Sequence, residues 1–448
     1  VISNNTQISR RGLLIGGLGL AATTTLLAAC GPSERGSTAP IDKGSEEEGK
    51  LVVWGGVAPE AGPQALVDAF MKKYPKIKVE YVRFVNDAEG ILKLDSALQG
   101  GVPIDVFFSY GTVDIARRSA AGLAMDLTDL ARKDSQLKSF VQSTPISTMV
   151  DGKLFSIPTS MYPNYVALNA DALDKAKIEV PFDWTMDDYH DVAKALKRSG
   201  FDVGGYNAPK SFPATLGGDY LYKDGGKESN FDHPSYKDEL ELVLAMEDDG
   251  SIFTQERISA EGIGGYAQNY FLNGSFGMMI DGNNVIRYAK NLKEYPHDFR
   301  VTFRPYPAPE AGAAYFNPGV RGDDVQISAK TQYPGAAWTF VKFWMGEGAD
   351  HMTTSGKVSP DQFANPSDTM YENLFGPDAD KLFDIEAFGK TFFTEEPPMS
   401  VRAITTAYTE ISTLKSQIEG EVRLRTKSVD DAIAELKQKA DEAITKAS

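Results

Sequence analysis

Residues 51–82 read LVVWGGVAPEAGPQALVDAFMKKYPKIKVEYV. Leu51-Val52-Val53-Trp54 is a short apolar, β-branched run that stops at Gly55-Gly56, the pattern of a buried strand entering a loop. Between Ala65 and Tyr74 the apolar positions Leu66, Ala69 and Phe70 recur at helical spacing, and Pro75, which lacks an N–H and clashes with the preceding turn, stops the helix. Ile77-Lys78-Val79-Glu80-Tyr81-Val82 then alternates with period two, so a strand follows. Strand, helix, strand is the start of an α/β lobe whose sheet is covered by helices.

Working outward, Ile91 to Leu98 predicts a second helix, Gly100-Gly101 its stop, and Ile104-Asp105-Val106-Phe107-Phe108 another strand. Ligands of open α/β sheets bind beyond the carboxyl ends of strands, which puts Trp54 and Tyr110 on one functional rim. Leu154 to Pro158 leads to Met161-Tyr162-Pro163-Asn164-Tyr165, where a turn-like stretch hands over to a further strand and a second lobe begins. Thr185 is placed to cap a helix whose first turn carries Asp187 and Asp188. Phe276 to Ile280 predicts an apolar strand aimed at the polar loop Asp281-Gly282-Asn283-Asn284. Pro334 opens a helix through Ala337, Phe340, Val341 and Trp344. Near the end, Ser428 and Asp431 resemble a capping box ahead of the stripe Val429, Ile433, Leu436, Ala440 and Ile444, too short to demand a long coiled coil.

The other end of the chain has a different character. Arg10-Arg11 precedes an apolar run from Leu13 to Leu27, shorter than the roughly 20 residues that span a bilayer and so expected to be a removed export signal. Leu26-Leu27-Ala28-Ala29-Cys30 resembles a lipobox, which implies cleavage before Cys30 and acylation of its thiol. Ser9 to Leu14 is similar to a twin-arginine signal, with leucine at a position where phenylalanine is frequent. The polar segment that follows cannot offset its own ordering entropy and is expected to be a tether, with the folded body starting near Lys50. That body exceeds what one hydrophobic core usually organises, so two lobes are expected. The net charge is -16, and with no dense basic run nucleic acid is a poor partner. Cys30 is the sole cysteine, so no intramolecular disulfide can form.

In order and spacing, Leu51 to Trp54, Phe70 with Tyr74-Pro75, Pro103 to Phe107, Asp151 to Pro158, Phe271 to Met278 and Ser428-Val429 with Ala432 resemble the extracellular solute-binding proteins (family 1, sugar and oligosaccharide type) of ABC importers. The resemblance implies a two-lobed α/β fold with an interlobe ligand cleft: signal 1–29, lipidated cysteine and tether 30–49, a first lobe from 50–160 and 315–360, and a second from 161–314 and 361–448. It also implies an exported monomer, held by lipid at the outer face of the cell membrane, that takes a small carbohydrate solute, needs no cofactor, and passes its cargo to permease subunits. Sugars offer apolar ring faces and outward hydroxyls, which suits aromatic platforms interspersed with polar groups. The candidates are Trp54, Tyr110, Tyr162 and Trp344 for stacking and Glu60, Asn164, Asp281 and Asn283 for hydrogen bonding. Each has a plainer alternative: aromatics pack cores, and carboxylates and amides cap helices or form turns. The family often has tryptophan where this chain has Asn283, so one stacking platform is missing and a smaller or more polar solute is favoured.

Two other classes compete. A surface-anchored glycoside hydrolase could combine carboxylates among Glu60, Asp105, Asp281, Glu395 and Glu396. A purely structural lipoprotein would use the same lobes without selective binding. His190, His233, His297 and His351 form no metal-binding spacing, Gly-x-Ser-x-Gly is absent, and Gly262-Ile263-Gly264-Gly265 is no phosphate loop, so neither metal nor nucleotide chemistry is expected.

Overall fold

The computed structural model describes residues 48–447 except 136, 138–148, 151–152, 264–266, 283, 365, 395–396, 400–401, 403 and 405. The export signal, Cys30 and the tether therefore lie outside the described residues, as do Asn283, Glu395 and Glu396.

β1 (Gly49–Gly55), α1 (Pro63–Lys73) and β2 (Ile77–Arg83) form the expected opening unit, with β1 and β2 parallel and in register from Gly49↔Ile77 to Gly55↔Arg83. Pro63 starts α1, and its buried stripe of Leu66, Val67 and Phe70 faces the sheet. There Phe70 meets Phe340 edge-on, with ring centroids 5.0 Å apart. α2 (Ala88–Gln99) starts at Asp87, whose carboxylate accepts the Gly90 N–H at 2.8 Å. β3 (Val106–Ser109) begins two residues later than its apolar run suggests. Asp105 is the reason: its carboxylate accepts the Val52 N–H at 2.8 Å and the Thr331 hydroxyl at 2.6 Å, replacing a ladder partner with a side chain. α3 (Thr112–Ala120) follows.

After the antiparallel pair β4 (Met149–Val150) and β5 (Lys153–Leu154), β6 (Ile157–Tyr162) runs along the edge of the first sheet and β7 (Tyr165–Asn169) through the centre of a second. Pro163 and Asn164 alone separate them. β8 (Tyr222–Lys223) and β9 (Glu228–Ser229) form a small pair, β10 (Met278–Asp281) and β11 (Val301–Pro305) flank β7, and β12 (Val320–Ile327) returns to the first sheet. The sheet orders are β2-β1-β3-β12-β6, mixed, and β10-β7-β11, antiparallel.

Each sheet has its own core. Leu51, Val53, Phe70, Val325, Phe340 and Val341 are buried around the first, and Tyr165, Phe271, Phe303, Phe388 and Phe392 around the second. A further cluster of Phe212, Tyr236, Ile418, Leu436 and Ile444 is closed by the C-terminal helices Tyr408–Arg423 and Val429–Ala447, which pack on each other and on Pro234–Asp248 rather than extending as a free coiled coil. Thr185 and Asp188 make a reciprocal capping box, Asp188 N–H to Thr185 Oγ1 at 3.2 Å and Thr185 N–H to Asp188 Oδ2 at 2.8 Å. Among the described residues no helix is long and apolar enough to cross a membrane.

One buried charge stands out in the first sheet. Asp324 is enclosed by β12 and its neighbours, with the Ser156 hydroxyl donating to it at 3.0 Å, and burial pushes its carboxyl up to about 7. A carboxyl whose folded pKa lies above its unfolded value favours the fold at low pH, and this contribution disappears as pH rises through 7. Asp324→Asn is therefore expected to raise the melting temperature at pH 8 and to lose most of that gain by about pH 5, as a denaturation series across pH will read. An equal effect at both pH values contradicts this.

Candidate functional site

The two sheets are joined by passes of chain that meet at Asn317, which is 1% exposed. Its Oδ1 accepts the Asn164 N–H at 2.8 Å and the Gly319 N–H at 2.7 Å, while its Nδ2 donates to the Asn164 carbonyl at 2.7 Å. Its own backbone N–H donates to the Pro398 carbonyl at 3.0 Å. One amide thus clips the outward pass at 163–164, the return pass at 317–319 and a C-terminal strand segment into one junction. Gly319 is required there, since a Cβ at that position would lie 2.3 Å from the Tyr162 carbonyl oxygen.

Beside the junction is a cavity of about 110 Å³. Thr112, the first residue of α3, reaches it from the first lobe, Pro213, Gly217 and Tyr220 from the second, residues 317–321 from the return pass, and Met399 with Arg402 from the C-terminal segment. On the first-lobe side, Asp323 adopts a left-handed conformation (φ 52°) within β12, with no shift of register between the pairs Gly322↔Ser160 and Asp324↔Pro158 that flank it. Its carboxylate accepts the Tyr162 hydroxyl at 2.6 Å and pairs with the Lys357 ammonium at 2.8 Å. Burial, and then the charge of Asp323, hold the Tyr162 hydroxyl well above the ordinary phenol range, so it remains a donor. Tyr110 is treated alike by burial and by Asp323, and its oxygen accepts the Gly56 N–H at 2.6 Å.

The residues singled out from sequence are distributed unevenly around this region. Tyr110, Tyr162 and Asn164 stand at the strand ends and the junction, and Glu60 is exposed in the short helical turn Pro59–Ala61 after β1. Trp54 does not line the cavity. Its ring faces the α2 side of the sheet among Phe84, Leu94, Leu98 and Phe107, because alternation along β1 sends Trp54 and Val52 to the face opposite Leu51 and Val53. Trp344 stacks in the first core with Tyr81 and Phe108 and faces only a void of about 10 Å³, room for one water at most. Asp281 is buried and accepts the Val285 N–H at 2.6 Å and the Gln268 side-chain amide at 2.9 Å, capping the helix Asn284–Ala289. Asn283 lies outside the described residues. Thr112, Tyr220, Arg321, Arg402 and the organiser Asn317 escaped the sequence reading, although Asn317-Pro318-Gly319 is a turn signal that could have marked a crossing. Among the described residues, no group of three or more His, Cys, Asp or Glu side chains is arranged to hold a metal ion.

Residues 55–350 match the model of a family described as bacterial extracellular solute-binding protein. Over 175 residues the chain is 30% identical to the galactooligosaccharide-binding protein of Bacillus subtilis (strain 168), a match spanning 39% of this chain and 38% of that relative's length. A sugar transporter from Rhizobium etli in an open conformation superposes with a TM-score of 0.69 at 17% identity, covering 89% of this chain and 99% of the other. The sugar-binding protein MalE of Xanthomonas citri gives 0.68 at 19% identity, with 89% and 98% covered. An ABC substrate-binding protein of Listeria monocytogenes in complex with cycloalternan gives 0.66 at 19%, with 89% and 99% covered. These similarities show the fold to be the two-lobed α/β architecture with an interlobe cleft.

Replacing Asn317 by alanine strands the N–H groups of Asn164 and Gly319 and the Asn164 carbonyl in a partly buried place. The expected loss is about 2–4 kcal/mol in urea unfolding. A loss below about 0.5 kcal/mol, the scale of a surface substitution, contradicts the clip.

Proposed function

The chain belongs to the family of bacterial extracellular solute-binding proteins, and we propose that it captures a saccharide between its lobes and delivers it to the permease of an ABC importer. A member of this family is a receptor for a solute, not an enzyme. The observation that carries the proposal is the cavity beside Asn317, to which both lobes and the crossing passes contribute side chains. A ligand touching both walls binds the closed form better than the open one, and that difference in affinity supplies the closure a permease can sense. The names of the similar proteins, which include a galactooligosaccharide-binding protein and a complex with cycloalternan, support a carbohydrate as cargo.

Within this reading Tyr110, Tyr162, Asn164, Glu60 and Asn283 remain the sequence-derived ligand candidates, joined by Thr112, Tyr220, Arg321 and Arg402. Tyr220 offers a ring face to a pyranose, while Thr112 and the arginines offer donors to its hydroxyls and ring oxygen. Trp54, Asp281 and Trp344 serve packing and capping. The lobes are proposed to comprise 50–160 with 315–360 and 161–314 with 361–448. Acylated Cys30 is proposed to hold the mature monomer at the outer face of the membrane on its polar tether, so the Cys30→Ser variant should leave the membrane fraction.

Titration calorimetry and thermal unfolding against neutral and acidic sugars, oligosaccharides, polyols and amino acids test the cargo. One saccharide class should bind saturably without product formation and add about 4 kcal/mol of stability at a thousandfold excess over Kd. Exclusive binding of amino acids, or turnover of a glycan, overturns the proposal.

A further inference from the structure

We propose that the saccharide taken by this cleft carries an anionic group, a carboxylate or a phosphate, which the guanidiniums of Arg321 and Arg402 receive. The inference rests on saccharide capture as proposed above and adds the charge of the cargo. The chain as a whole is strongly acidic, at -16, yet both charged side chains among the described residues that line the cavity are arginines. Such a local reversal of sign is the electrostatic complement of an anion.

The surroundings bear this out group by group. Arg402 lays its guanidinium 3.7 Å from the ring centroid of Tyr408, and its Nε is buried with no hydrogen-bond partner among the described residues. A buried guanidinium N–H left without an acceptor is costly, and a ligand carboxylate or phosphate oxygen supplies one. Arg321 is partly buried, and burial lowers its pKa. Several described carboxylates on neighbouring elements have partners of their own. Asp114 binds Arg117 at 2.8 Å, Asp219 accepts the Ile404 N–H at 2.9 Å, Asp323 holds Lys357 and Tyr162, and Glu239 accepts the Phe212 N–H at 3.0 Å while facing Lys415. α3 adds to the same sign. Its first residue, Thr112, lines the cavity, and its N-cap, Gly111, supplies no side-chain acceptor, so the positive end of a nine-residue helix lies at the cavity wall. A neutral sugar can accept hydrogen bonds from these groups, whereas a planar carboxylate or a phosphate meets a guanidinium fork directly and supplies the acceptor that Arg402 Nε lacks among the described residues.

The test is calorimetry on the full chain with three probes: galactotriose, trigalacturonate, which differs from it by its carboxylates, and galactose 6-phosphate. One of the anionic probes should bind at least about tenfold more tightly than the neutral trisaccharide, and which of the two does so identifies the anion. That preference should weaken as ionic strength rises from about 0.02 M to about 0.5 M. It should also fall in Arg402→Met and Arg321→Gln, each first checked for native unfolding, and the salt dependence in the unaltered chain stands as an independent readout should either variant fail to fold. Equal or tighter binding of galactotriose overturns the inference while leaving saccharide capture intact. Absence of binding by all three, with binding of a non-carbohydrate in the wider panel, overturns both.

Discussion

The architecture depends on one buried amide. Asn317 uses both side-chain atoms and its own N–H to tie the outward pass, the return pass and a C-terminal segment together. Everything on either side of it is organised as a separate packed body, with the aliphatic and aromatic core of the mixed sheet on one side and the phenylalanine-rich core of the antiparallel sheet on the other. Close-packed cores resist deformation, so relative movement of the lobes is confined to the short connections between them. The clip holds those connections in register, and Gly319 allows them the close approach this needs.

The cavity inherits its chemistry from that junction. β12 emerges from it carrying Arg321 and then Asp323, where a left-handed backbone turns a carboxylate toward Tyr162 and Lys357. An aspartate tolerates this conformation at modest cost, and the cluster of hydrogen bonds over-determines it. The result is a fixed cluster beside the junction, in which Asp323 holds the Tyr162 hydroxyl and the Lys357 ammonium.

Much of the fold was legible because hydrophobic period and punctuation agree with the tertiary structure. The run 51–82 gives strand, helix and strand, Thr185 caps where its spacing to Asp188 says it should, and the C-terminal stripe from Val429 to Ile444 buries its apolar face. The site was less legible, for physical reasons that differ by residue. A position at a strand end does not say which face a side chain takes: Trp54 and Leu51 share a strand but point to opposite cores. Asp281 has the same composition whether it reads a ligand or caps a helix, and its contacts make it a cap. Arg321, Arg402, Thr112 and Tyr220 share no local pattern, since only the folded crossings bring them to one cavity.

Capture by closure is the central claim, and interlobe distance measures it most directly. With Cys30 replaced by serine, spin labels are placed on Leu92→Cys, an exposed site in α2 of the first lobe, and on Asp191→Cys, an exposed site in the helix Met186–Arg198 of the second. Pulsed dipolar spectroscopy is then recorded with and without a saccharide that calorimetry shows to saturate the chain. Capture by closure requires a broad distance distribution that shifts and sharpens to a single closed population on binding. Saturating ligand with an unchanged distribution would contradict it.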